Sequence, residues 1–160
     1  MPLPPLPDEA VDISADAGDW RAAVRVAGRG LVRSGAARAE YTDRMIAVIE
    51  EFGAYVVIAP GLALAHARPG ADVRRAGLSV ATLATPVAFG HPHNDPVRVV
   101  IGLAVASADE HVTGVASLAN VFNDPAAIGR LTAATSADEV RAVLGASATG
   151  DDADASEVAP

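Results

Sequence analysis

The chain contains no cysteine, which removes disulfides, thiolate metal ligands and cysteine nucleophiles together. Lysine is missing as well: all 12 basic residues are arginine. Schiff-base chemistry and a P-loop lysine are therefore unavailable. No uncharged apolar run approaches the roughly 20 residues of a membrane span, and the strongest candidate, residues 54–67, is broken by Pro60-Gly61. Direct membrane insertion is not expected. The N-terminal "MPLPPLPDEA" has no basic segment ahead of an apolar one, so it does not read as a secretory signal. The cytoplasm is the expected location.

What is present fits one soluble domain. The chain has 160 residues, 51% of them apolar and 20% charged, enough for one real core and too few for two. The net charge of −8 belongs mostly to the ends. Asp8 and Glu9 lie at one end, and Asp151, Asp152, Asp154 and Glu157 at the other, leaving 14 acids against 12 arginines between. The expected organisation is a disordered Pro-rich tail at 1–10, one domain over 11–146, and a disordered acidic tail at 147–160. Nothing in this balance points to nucleic acid.

Helical spacing runs from Asp19 to Arg33, with Trp20, Val24, Ala27 and Leu31 on the inner face. Opposite them Arg21, Arg25, Arg29 and Arg33 follow at i, i+4, a spacing at which like charges repel. This stripe reads either as a solvated face neutralised by Asp12, Asp16 and Asp19 or as a docking stripe for an acidic partner. A second helix is expected from about Glu40 to Phe52, with Tyr41, Met45, Val48 and Phe52 inward. The β-branched stretches "AYVVIA" (54–59) and "AGLSVATL" (76–83) read as strands, and "VRVVIGLAVA" (97–106) as a strand covered on both faces. Helical spacing returns at 108–122, with Val112, Val115, Leu118, Ala119 and Phe122 inward. Asp124-Pro125 then opens a short helix, and the Ser136/Glu139 capping box opens the last. The expected fold is α/β: a single domain with a mixed sheet of about five strands and helices on both faces.

Chemistry concentrates in four histidines. His91, His93 and Asp95 form an H-x-H-x-D string of the kind that begins several zinc sites, and would make a small zinc hydrolase. His93 and Asp95 are equally at home in a polar turn. A second grouping pairs His66, which ends an apolar segment just past Pro60-Gly61, with His111 in the first turn of a helix. A helix start supplies unpaired N–H groups and a positive dipole end, and so can hold an anion. If the sheet brings His66 opposite it, the pair makes a phosphoryl-transfer site needing neither metal nor organic cofactor, with Arg68 as a two-pronged donor. Arg68 also reads simply as an exposed turn residue before Pro69-Gly70.

"FGAYVVIAPGLALAHARPG" and "LATPVAFGHPHNDPVRVVIGLAVASADEHV" resemble the enzyme IIA domain of the phosphoenolpyruvate-dependent sugar phosphotransferase system. The similarity is to its mannitol/fructose type, most of all the ascorbate-specific branch, and it covers nearly the whole chain. The resemblance implies a phosphocarrier in which His66 accepts a phosphoryl group on Nε2, Nδ1 holds an orienting hydrogen bond, and His111 is the second active-site histidine. It implies phospho-HPr as donor, a IIB component as acceptor and a membrane IIC component served indirectly. A regulatory phosphohistidine module without transport would share His66. Two departures stand out. Ala65 replaces the proline usual before the acceptor, and Glu50 stands where the mannitol branch carries arginine. His93 lies where the family has an acidic or neutral residue.

Overall fold

Alternation along five residues sets most of the architecture. In strand β3 (Leu62–His66) Leu62 and Leu64 point to one face of the sheet, Ala63 and Ala65 to the other, as the two-residue period of a strand requires. The computed structural model describes residues 3–149. Around β3 it arranges β1 (Val11–Ala15), β2 (Val57–Ala59), β4 (Gly77–Val87) and β5 (Val97–Ala104) in the order β1-β4-β5-β3-β2. β3 runs parallel to β5 and β1 parallel to β4, whereas β4–β5 and β2–β3 are antiparallel. The mixed five-stranded sheet is the one expected.

Helices cover both faces, also as expected. Helix α1 (Trp20–Arg33) and α2 (Ala39–Phe52) lie over the side of small residues, including Ala63, Ala65 and Ala104. Helices α3 (Ala108–Val121), α4 (Ala127–Ala133) and α5 (Ala137–Leu144) cover the side of large ones, including Leu62, Leu64, Ile101 and Leu103. Small residues under α1 permit close approach. A Cβ on Gly28 would come 2.1 Å from Thr42 Oγ1, and one on Gly102 would come 2.3 Å from Ser79 Oγ. Buried Ser79 instead donates to the Ala27 carbonyl at 2.7 Å, tying α1 to the sheet. Among the described residues no helix is long and apolar enough to cross a membrane.

Several expectations need correction. Residues 3–10 are not a loose tail: Leu6 is fully buried, its N–H donates to the Ser147 carbonyl at 2.8 Å, and Leu78 N–H donates to the Pro5 carbonyl at 3.0 Å. Proline-rich chain is extended chain, and it packs when an apolar anchor such as Leu6 reaches the core. The acidic tail expected from 147 lies outside the described residues from 150 onward. Neither β1 nor β3 is among the stretches read as strands from the sequence. "AYVVIA" shortens to Val57–Ala59, because Ala54–Val56 form a 3₁₀ turn. The short helix begins at Ala127 rather than at Pro125, and Asp124 instead accepts from Ala126 N–H at 2.9 Å. Phe52, Val112 and Ala119 face outward, with Phe52 64% and Val112 69% exposed.

Candidate functional site

β3 and β5 are parallel neighbours, so their carboxyl ends open together, the usual place for a site in an open α/β sheet. β3 ends on His66, whose register partner is Leu103, and β5 leads through 105–107 into α3 and His111. His66 follows Leu62 and Leu64 onto the sheet face that α3 covers. The two rings stand 4.9 Å apart between centroids, inclined at 61°. The expected pairing of these histidines is formed.

The His66 ring is held in one direction. Its Nδ1 lies 2.9 Å from the Leu64 carbonyl. A carbonyl only accepts, so Nδ1 carries the proton and Nε2 keeps its lone pair. Among the described residues Nε2 has no hydrogen-bond partner. Burial pushes the His66 pKa down; the Leu64 bond opposes this, and nearby His111 adds to the lowering. The result is a neutral imidazole with a free nucleophilic nitrogen. Tyr55 packs edge-on against it, 6.3 Å between centroids.

His111 is placed by a capped helix. Ser107 Oγ accepts from Glu110 N–H at 3.2 Å, and the Glu110 carboxylate reaches back to Ala106 N–H at 3.0 Å. His111 lies in the first turn of α3, so the positive dipole end of that helix stands near His66. Arg68 is exposed in the turn after β3, and its guanidinium makes no hydrogen bond or ion pair among the described residues. It is close enough to Tyr55 to act on that phenol, whose pKa burial raises and Arg68 lowers.

Residues to which the sequence assigned no role in the site hold this turn. Buried Tyr41 donates to the Leu103 carbonyl at 2.6 Å and accepts from Ala67 N–H at 3.0 Å. Arg44 binds both carboxylate oxygens of Asp72 at 2.7 and 2.6 Å and donates to the Arg68 carbonyl at 2.8 Å. The Arg44 bonds to Asp72 hold that carboxylate below its usual range. A tyrosine on the inner face of a helix reads as core; the signal available was that its hydroxyl must then find a partner.

The other histidines are elsewhere. Gly61 N–H donates to the Asn94 carbonyl at 2.9 Å, which puts the 91–95 loop at the opposite end of β3. Asp95 spends its carboxylate on the N–H groups of Phe89, Gly90 and His91. His91 Nδ1 accepts from the N–H groups of His93 and Asn94 at 3.1 and 3.0 Å. Among the described residues no three His, Asp or Glu gather as metal ligands would. Of the family's departures, Ala65 is a fully buried strand residue paired with Gly102. Glu50 is taken by an ion pair with Arg21 at 2.8 Å.

Residues 5–146 match the family model described as "Phosphoenolpyruvate-dependent sugar phosphotransferase system, EIIA 2". The chain belongs to that EIIA family. As a member it is a phosphotransferase component, a phosphocarrier of a sugar phosphotransferase system. One similar relative is the ascorbate-specific PTS system EIIA component of Salmonella choleraesuis, 37% identical over 134 residues that cover 83% of this chain and 87% of that protein. The crystal structure of IIA mannitol from Escherichia coli is 30% identical with a TM-score of 0.74, covering 85% of this chain and 96% of that one. A second similar structure is the complex of enzyme IIAMTL with phosphorylated IIBMTL from Escherichia coli. It is 28% identical with a TM-score of 0.74, over 86% of this chain and 94% of that one.

Proposed function

We propose that this EIIA domain accepts a phosphoryl group from phospho-HPr on Nε2 of His66 and passes it to a IIB component, in a system that imports an ascorbate-like sugar acid. The observation that carries the reading is the state of the His66 ring: Nδ1 is fixed on Leu64, Nε2 is free, and the His111 ring stands 4.9 Å away between centroids. In the transfer the Nε2 lone pair forms a bond to phosphorus as the donor's N–P bond breaks, and the electron pair returns to the donor imidazole. The proton on Nδ1 stays there, donated to the Leu64 carbonyl. His111, Arg68 and the first N–H groups of α3 supply donors to the phosphoryl oxygens, where such chemistry draws most of its stabilisation.

Partner docking has a surface to use. Phe52, Tyr55 and Val112 are 64%, 50% and 69% exposed, and Phe52 stacks edge-on against Tyr55 beside His66. An apolar rim of this kind around a reactive nitrogen suits brief contacts with two partners in turn. The mannitol relative in complex with its phosphorylated IIB supports IIB as the acceptor, and the ascorbate-specific relatives support the substrate.

The test is phosphorylation by phosphoenolpyruvate, enzyme I and HPr, followed by intact-mass analysis. The wild type should gain one acid-labile phosphoryl group and His66→Ala none. His111→Ala should still be modified, but about 10²-fold more slowly, the usual effect of losing one donor to a developing charge. A wild type left unmodified beside a control IIA that is modified overturns the proposal. Transfer onward to a mannitol IIB but not to an ascorbate IIB overturns the substrate.

A further inference from the structure

Two α2 side chains, three residues apart and so on one helix face, seize the chain as it leaves His66. Tyr41 is 1% exposed, and its hydroxyl oxygen serves two masters. It accepts from Ala67 N–H, the residue after His66, and donates to the carbonyl of Leu103, the register partner of His66. Arg44 takes the next residue by donating to the Arg68 carbonyl, and is itself anchored on Asp72. The hydroxyl thus joins the ends of two parallel strands much as a ladder hydrogen bond would. It does so from the small-residue face of the sheet, opposite to His111.

Why this matters follows from what holds the reactive nitrogen. Nε2 has no partner of its own among the described residues. Its direction is set by the Nδ1 bond to Leu64 and by the backbone around His66. A shift of about 1 Å in a reacting group can cost roughly 10²-fold in rate. Burial meanwhile raises the Tyr41 pKa to about 12, so the hydroxyl keeps its proton wherever the carrier works.

We propose that Tyr41 is a positioning residue for phosphoryl transfer: by bridging Ala67 and Leu103 it aims Nε2 of His66 at the incoming phosphorus. The inference rests on the phosphocarrier reading above. It is tested with Tyr41→Phe, which removes one oxygen and nothing else, beside Val140→Ala, a core truncation in α5 on the other face of the sheet. Transfer from phospho-HPr at saturation should fall about tenfold in Tyr41→Phe, with KM for the donor within twofold because Tyr41 is out of a partner's reach. The ¹⁵N shifts of His66, measured without any partner, should move from the Nδ1–H tautomer toward a mixture. Val140→Ala should lose stability while keeping both the rate and the tautomer. An unchanged tautomer and rate in Tyr41→Phe overturns the inference, as does Val140→Ala reproducing both changes. A wild type that takes no phosphoryl group defeats the phosphocarrier reading instead, and the tautomer measurement still decides for or against Tyr41.

Discussion

The imidazoles of His66 and His111 meet with 4.9 Å between their centroids, one delivered by the last residue of a strand and the other by the first turn of a helix. The two elements reach the same point because β3 and β5 are parallel and end together. His66 is thus fixed by sheet register, and His111 by a helix cap.

Because burial lowers the His66 pKa, transfer should keep its rate down to pH 6.5, where half of an ordinary imidazole is already protonated, and lose it only as pH falls through the lowered pKa. The same shift affects folding. Between the lowered pKa and about 6.5 the unfolded chain binds the proton more readily, so stability is full above that window and falls as pH drops through it. His66→Ala should flatten this slope in urea titrations followed from pH 7.5 to 5. An equal slope in the variant would refute the assignment.

Tyr41 makes the opposite case. Its pKa, raised to about 12 by burial, means that between pH 10 and 12 the unfolded chain loses the phenolic proton while the folded chain keeps it. Stability present below pH 10 should fall across that window by up to about 1.4 kcal/mol per unit. Tyr41→Phe should remove that part of the fall, as read by denaturation at pH 9, 10 and 11.

Arg68→Gln should slow transfer about tenfold, the loss of one charge-assisted contact worth about 1.4 kcal/mol in the transition state. The fold should be unaffected, since the guanidinium has no partner among the described residues. An unchanged rate would mean that His111 and α3 hold the phosphoryl group alone.

Asp95→Ala leaves three backbone N–H groups without their carboxylate and should cost about 1–3 kcal/mol of stability. Transfer to His66 should be unaffected in this variant, and in the wild type treated with a zinc chelator. Loss of transfer on chelation would restore the metal reading of His91, His93 and Asp95.

At the crossing of α1 and α2, Gly28→Ala drives a methyl group to within 2.1 Å of Thr42 Oγ1. Overpacking of this kind should cost about 1–3 kcal/mol, measured by urea denaturation. A stability equal to the wild type would show that the helices part freely.

Most helices were legible because their apolar stripes are regular: α1 and α2 begin and end within a residue or two of their expected bounds. The α3 face is instructive: Val115, Leu118 and Phe122 lie inward as expected, while Val112 and Ala119 do not. His111 and Gly114 take inner positions instead, and a histidine and a glycine there escape any count of apolar residues. The site itself displaced the signal. β1 has only half-buried or exposed positions, so its alternation was faint, and the buried Leu6 was masked by the prolines around it. His66 and His111 stood out by residue type, whereas Tyr41 and the Leu64 carbonyl act through atoms that nearly every sequence contains.

The 91–95 loop sits at the amino end of β5, roughly 20 Å along the strand from the transfer end at about 3.3 Å per residue. His93 is exposed there, and the chain has no cysteine. His93→Cys would therefore create a sole thiol, a ready handle for a fluorophore or a surface tether. Through it, arrival and departure of a phosphoryl donor could be timed on single molecules while His66 stays untouched.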